Sequence, residues 1–270
     1  MIDGHVHLEN GELSVDYVMQ FVQTAAARGI DTLQILDHTH RFLEFAPMYE
    51  GVRKANDLQA QWLLKKIKDP LAKYHQLIDT MKQMDLPIEV RFGLEVCYTP
   101  EAESFLKDIL SQYPYDFLVG SVHSIDGILY DMPFSKQLLW DVQNADAIYQ
   151  RYYALVEQSM KSGLFTQIGH PDTIKLFDIH PSYDQTPTYL HLAKLAVKHH
   201  LKMENNTGCH YRYHTNDIGL SDAFIQALVH EGAMIITASD AHLPDHVGNY
   251  IKEAQQRIKT IQDQLAASHS

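Results

Sequence analysis

At 270 residues the chain is long enough to bury a large core, and a barrel of that length is routinely one domain. Its 45% hydrophobic and 21% charged residues are ordinary for a soluble globular protein, and no apolar run approaches the roughly 20 residues needed to span a bilayer. A formal net charge of -12 argues against an extended basic nucleic-acid surface, while leaving room for a local phosphate pocket.

Residues 1–7 read as a short strand that carries Asp3-Gly4-His5-Val6-His7. Ser14 is placed to cap a helix over 15–28, where Val18, Phe21, Val22 and Ala25 fall at helical spacing and Gly29 stops the run. Residues 32–36 form the second strand, leading into Asp37-His38-Thr39-His40-Arg41. A loop rich in aromatics follows, then a helical region over 52–84 that Pro70 kinks or splits. The third strand covers 88–95, and Thr99-Pro100-Glu101 opens the next helix.

Residues 117–122 form the fourth strand, ending at His123, with a turn at Asp126-Gly127 and a helix over 135–161. The fifth strand, 165–169, ends at His170-Pro171-Asp172. A helix over 188–200 precedes a sixth short strand, 201–205. Ser221 caps a helix to about Glu231, the seventh strand covers 234–238, and a last helix runs over 246–265, with fraying expected at the final residues. Seven strands alternating with helices indicate parallel pairing and an α/β fold, and no linker or repeat divides the chain.

Chemistry-bearing residues sit at strand ends. His5 and His7, two apart on a strand, present their imidazoles to the same side. Asp240-Ala241-His242 repeats that spacing after the last strand. Taken alone, the first pair could be exposed terminal histidines and the second a helix cap beside a surface histidine. His38, Glu95, His123 and His170 close four more apolar runs. Each has a plain reading too: Glu95 could pair with Arg91, and a single buried histidine is usually a hydrogen-bonded one. Their recurrence points instead to convergence at the C-terminal ends of parallel strands, where barrel enzymes place their sites. Imidazole and carboxylate ligands without thiolates suit zinc, manganese or iron better than calcium, and the number of ligands implies more than one ion. Clustered divalent ions suit hydrolysis of phosphate esters, since one activates a water and together they stabilise attacking and leaving oxygens.

The ordered set His5-x-His7, Asp37-His38, Glu95, His123, His170-Pro171 and Asp240-x-His242 resembles the polymerase-and-histidinol-phosphatase (PHP) family over nearly the whole chain. Asp-Gly-His-x-His together with Asp-His-x-His-Arg-Phe looks like its histidinol-phosphatase branch. The resemblance implies a distorted (β/α)7 TIM-like barrel, residues 1–270 as a single PHP-type domain, and two or three divalent ions (Zn, Mn or Fe). It implies that His5, His7, Glu95 and Asp240 hold a first ion, and that Glu95, His123 and His170 hold a second. His38 and His242 would help hold a third. Many relatives place another histidine after the first pair; here Glu9 or Glu12 could substitute, Glu9 being nearer the strand end, or both could be solvated loop charges.

Arg41 and Arg212 are candidates to grip a substrate phosphate, with surface ion pairs as the alternative. His40 and His210 could orient substrate, and His214 or His40 could protonate the leaving oxygen after attack by a metal-bound hydroxide. Phe42, Phe45, Tyr49, Tyr211 and Tyr213 could wall the pocket or pack as a minor core. Cys97 and Cys209 could pair, though two reduced thiols in a cytoplasmic protein is the plainer reading. The implied activity is hydrolysis of L-histidinol phosphate, a small phosphorylated substrate of histidine biosynthesis, with nucleic acid and membrane not expected as partners. Two alternatives remain: the same site acting on a nucleotide, a phosphotyrosine protein or a nucleic-acid end, and a metal-binding module without turnover. Sequence leaves the oligomeric state open.

Overall fold

The computed structural model describes residues 1–268; the fraying expected at the final residues falls partly on 269–270, which lie outside the described residues. Strand β1 (Ile2–His7) is followed by α1 (Val15–Ala27) and β2 (Thr32–Leu36). Three helices come next, α2 (Glu50–Ala55), α3 (Asp57–Lys66) and α4 (Leu71–Met81), before β3 (Glu89–Cys97), α5 (Glu103–Leu110) and β4 (Phe117–Ser121). A small hairpin, β5 (Ser124–Ile125) and β6 (Ile128–Leu129), leads to α6 (Ala145–Lys161), β7 (Gln167–Ile168), α7 (Thr186–Lys198) and β8 (Lys202–Asn206). The chain ends with α8 (Gly208–Tyr213), α9 (Asp222–Glu231), β9 (Met234–Ala238) and α10 (Ile251–Ser268).

The seven long-range strands pair in parallel in the order β1-β2-β3-β4-β7-β8-β9. First and last strands then meet. His7 donates its backbone N–H to Ala241 O at 2.8 Å, and Thr237 Oγ1 donates to Ile2 O at 2.9 Å. The sheet is thereby a nearly closed, TIM-like α/β barrel with helices outside it, as expected. Gly4 sits at this seam: a Cβ there would lie 2.7 Å from Ile236 Cδ1, so a larger residue would wedge the two strands apart. Two apolar clusters seal the helices onto the sheet, one including Val18 and Phe21 of α1, the other including Tyr152, Leu192 and Phe224 of α6, α7 and α9.

Ser14 caps α1 by accepting from Tyr17 N, and Ser221 caps α9 in the same way from Phe224 N. The helical region expected over 52–84 is three helices. Asn56, extended at φ -162°, accepts from Leu58 N at 2.8 Å and starts a new helix one residue after α2 ends. The helix expected over 135–161 is likewise divided. A π-helical turn, Lys136–Trp140, stops, and Asn144 caps α6 through Asp146 N at 2.8 Å. The last helix begins at Ile251, later than expected, after Gly248 at φ +77°. Among the described residues no helix is long and apolar enough to cross a membrane, and both cysteines are free.

Candidate metal centre

The imidazoles and carboxylates scattered along the sequence meet at the C-terminal mouth of the barrel. His5 Nε2 lies 2.9 Å from His7 Nε2, 3.3 Å from Glu95 Oε2 and 3.8 Å from Asp240 Oδ1. His7 Nε2 is 3.4 Å from the same Glu95 oxygen and 3.2 Å from Asp240 Oδ1. Four donors arranged tetrahedrally about an ion at about 2.0–2.2 Å stand about 3.3–3.6 Å apart. The five spacings given bracket that range, and His5, His7 and Asp240 lie together closely enough to hold a divalent cation, with Glu95 beside both imidazoles.

The other Glu95 oxygen serves a second group. Oε1 lies 2.8 Å from His170 Nε2 and 3.3 Å from His123 Nε2. A third group surrounds Glu9, whose Oε2 is 3.4 Å from His38 Nδ1 and 3.5 Å from His40 Nε2, and whose Oε1 is 3.6 Å from His242 Nε2. His38 joins the groups, since its Nε2 is 2.9 Å from Glu95 Oε2. Glu12 is exposed, so Glu9 is the acidic residue that the loop after β1 delivers.

Protonation follows from burial competing with neighbours. Burial would raise Glu95, but His38, His5 and His123 outweigh it and hold the carboxyl well below its usual range. Asp240 is held low in the same way, chiefly by Arg212. Burial would lower His38, yet Glu95 and Glu9 raise it to about 10. His5 is raised against burial by Glu204 and Glu95, and His123 by Cys97 and Glu95. His7 goes the other way: burial, then His242 and His38, push it well down. Asp240 at φ 56° and His170 at φ 28° hold left-handed backbone at the strand ends, a strain of about 1–3 kcal/mol each that often marks a functional site.

Several residues not singled out from sequence support the cluster. Glu204 of β8 is fully buried; His5 Nδ1–H donates to its Oε1 at 2.8 Å, which turns His5 Nε2 towards Glu95. Glu204 also accepts from Gln167 Nε2, His170 N and Asn206 Nδ2. Cys97 Sγ is 3.1 Å from His123 Nδ1 and steadies that ring. The position of Cys97, two residues after Glu95 on β3, was a readable signal. Glu204 left no comparable signal, because it lies in the mostly polar strand Lys202–Asn206.

Beside the cluster lies a cavity of about 250 Å³, walled by Glu9, His38, His40, His123, Tyr49, Trp62, Lys66, Asp131 and Tyr213 among others. A larger open cleft of about 480 Å³, lined by Pro47, Phe105 and Arg151, shares part of that wall and none of the imidazoles. Of the aromatics considered, Tyr49 and Tyr213 line the cavity, whereas Phe42 and Phe45 are buried core and Tyr211 donates to Ser239 O at 3.1 Å.

Three expectations are corrected. Arg41 does not face the cavity. Its guanidinium donates to Asp37 Oδ2 at 2.7 Å, Asp69 Oδ2 at 2.8 Å, Leu8 O at 2.9 Å and Gly11 O at 3.0 Å, tying the loops after β1 and β2 together. His210 donates Nδ1–H to Thr215 O at 2.7 Å and packs edge-on against Tyr250, outside the cavity. His214 is an exposed residue capping α8 at φ 59°, and lines a separate surface depression with Thr215 and Asn216. Arg212 remains at the cluster: it bonds Asp240 Oδ2 at 2.7 Å and reaches His242 Nδ1 at 3.1 Å. Gly208 permits this, because a Cβ there would lie 2.7 Å from Arg212 and 2.8 Å from Asp240.

The chain is similar to known proteins over nearly its whole length. Residues 3–208 match the family model described as the PHP domain. The chain is 27% identical over 264 residues to a probable histidinol-phosphatase of Deinococcus radiodurans, covering 97% of this chain and 94% of that protein. It is 23% identical over 272 residues to the histidinol-phosphatase of Bacillus subtilis, covering 93% and 97%. The histidinol phosphate phosphatase of Lactococcus lactis, solved with zinc, L-histidinol and phosphate, superposes with a TM-score of 0.70 at 17% identity, over 96% of this chain and 93% of that one. A putative histidinol phosphatase of Listeria monocytogenes gives 0.70 at 19% identity, over 93% and 99%. At those identities the structural likeness speaks for the fold.

Proposed function

The chain belongs to the PHP family, and on that footing we propose a histidinol-phosphatase: a metal-dependent phosphoric monoester hydrolase that converts L-histidinol phosphate to L-histidinol and phosphate. The observation that carries this reading is the divided carboxylate of Glu95, with Oε2 facing His5 and His7 and Oε1 facing His123 and His170. One carboxylate serving two sets of imidazoles suits two neighbouring cations.

The donor groups would take two or three divalent ions (zinc, manganese or iron). His5, His7, Glu95 and Asp240 would hold the first; Glu95, His123 and His170 the second; Glu9, His38 and His242 the third. Bound there, such ions would supply Lewis acidity to activate water and to offset charge on the phosphoryl oxygens. Glu204 keeps the His5 ring turned towards Glu95. Arg212, charged and one quarter exposed, fixes Asp240 and His242 and directs positive charge at the phosphoryl group. His40, lining the cavity with its Nε2 free of a hydrogen bond, is assigned to return a proton to the leaving oxygen. The proposal takes residues 1–270 as one barrel domain, supported by the meeting of β1 and β9. It places the enzyme in the cytoplasm, supported by two free thiols.

Purified protein supplied with manganese or zinc should release phosphate from L-histidinol phosphate, lose that activity with a chelator and regain it with metal. A panel adding a nucleotide, a phosphotyrosine peptide and a phosphorylated DNA end ranks substrates. Full activity in metal-free protein, or a clear preference for one of the other esters, overturns the reading.

A further inference from the structure

Asp131 is the charged group in the cavity for which the fold supplies no counterion. It follows the β5–β6 hairpin and lines the same cavity as Glu9, His38 and His123. The other charges there are matched: Lys66 Nζ donates to Glu9 Oε1 at 3.2 Å, and Glu9 faces three imidazoles. Among the described residues, no lysine, arginine or histidine lies within ion-pair distance of the Asp131 carboxylate. His123 and His170 act on it only from a distance, and burial outweighs them, raising its pKa. A partly desolvated anion without a partner is costly, and a ligand that brings a cation relieves that cost. The neighbouring wall, lined by Tyr49, Trp62, Tyr213, Leu129 and Met132, gives the carbon skeleton of an organic cation an aromatic and apolar surface to pack on.

Resting on the phosphatase reading above, we propose that Asp131 is the subsite for a protonated nitrogen on the leaving alcohol. The enzyme then selects phosphate monoesters of cationic amino alcohols over neutral esters of the same size. Such a substrate is held at both ends, its phosphoryl group at the imidazole–carboxylate cluster and its cation at Asp131. A purely solvated carboxylate at the cavity mouth would give no such selection. Either the amine or the imidazole of a histidinol-like alcohol could supply the charge, and both have the same chemistry at this carboxylate.

The test compares the metal-loaded wild type with Asp131→Asn and Asp131→Glu. The quantity read is the ratio of kcat/KM for an aminoalkyl phosphate to that for an alkyl phosphate of equal length. L-Histidinol phosphate and its analogue lacking the amine are measured alongside, to say which nitrogen is held. Asp131→Asn should lower the ratio about 10- to 100-fold, mainly through KM, and Asp131→Glu should restore part of it. Calorimetry of L-histidinol binding to the same proteins reads the contact without turnover and should show a matching loss. An unchanged ratio in Asp131→Asn, including an equal loss on both esters, overturns the proposal, as does undiminished L-histidinol binding. Wild type that prefers aminoalkyl esters but rejects L-histidinol phosphate would sink the named substrate and leave the Asp131 subsite supported.

Discussion

His5 donates its Nδ1–H to the buried carboxylate of Glu204 at 2.8 Å, across the barrel interior from β1 to β8. That bond occupies Nδ1 and directs His5 Nε2 at Glu95 and Asp240, where an incoming cation would take the place of its proton. Glu204→Gln keeps the shape but removes the charge that raises His5. Cation affinity should fall about 10- to 100-fold, with activity recovering at high metal concentration. Metal titration followed by phosphate release measures both; an unchanged affinity would mean that the bond has no part in cation binding.

Cys97 stands to His123 as Glu204 stands to His5, with Sγ 3.1 Å from Nδ1. Cys97→Ala leaves that nitrogen without a partner and should weaken the second cation by about tenfold. Cys97→Ser keeps a hydrogen-bonding atom and should lie between alanine and wild type. Elemental analysis after dialysis distinguishes them, and equal metal retention in all three would refute the role.

Arg41 supplies stability instead of substrate binding. Its side chain is 2% exposed and faces Asp37, which is fully buried. Burial pushes Asp37 up to about 6 even with Arg41 beside it. Arg41→Met leaves that carboxyl uncompensated and should cost about 3–5 kcal/mol, seen as a lower melting temperature. In the fraction that remains folded, KM for the phosphate ester should stay near wild type. A large KM rise at unchanged stability would instead return Arg41 to the substrate.

Cation uptake should depend on pH. His5, His38 and His123 are all raised above a free imidazole, His38 to about 10, so at neutral pH they carry protons that an incoming cation displaces. Affinity therefore falls as pH falls, by about tenfold per pH unit for each proton displaced. Calorimetric titrations in buffers of different ionisation heat count the protons, and an affinity flat between about pH 6 and 8 would contradict these shifts.

Gly208→Ala tests the packing of α8 against the cluster. The added Cβ would press on the Asp240 side chain, and Asp240 or Arg212 must shift. Activity should drop about tenfold or more with little change in melting temperature, since misplacement by about 1 Å can cost about 100-fold.

Much of the centre was legible because strand-terminal ligands leave a plain trace: an apolar run, then an imidazole or carboxylate. His38, His123, His170 and Asp240 follow that rule closely, His5, His7, Glu95 and His242 lie within a few residues of a strand end, and the barrel brings all eight together. Glu204 did not stand out, because Lys202–Asn206 is mostly polar and its burial depends on closure of the whole sheet. Arg41 was misread because a sequence shows a guanidinium but not which donors the backbone has already taken. His210 and His214 share the Arg212 loop, yet the short helix α8 turns them away from the cavity. The divided helices turned on Asn56 and Asn144, whose capping competes with a continuous helical pattern that periodicity alone favours.

The seam between β1 and β9 has a consequence for biosynthesis of the protein itself. The first proposed cation group draws on His5 and His7 from β1 and on Asp240 just after β9. A growing polypeptide therefore cannot gather that set until the seventh parallel strand has left the ribosome. Until then the early histidines can offer only a loose, two-point grip on any ion, and competence for phosphate release should arrive in one step, late in translation.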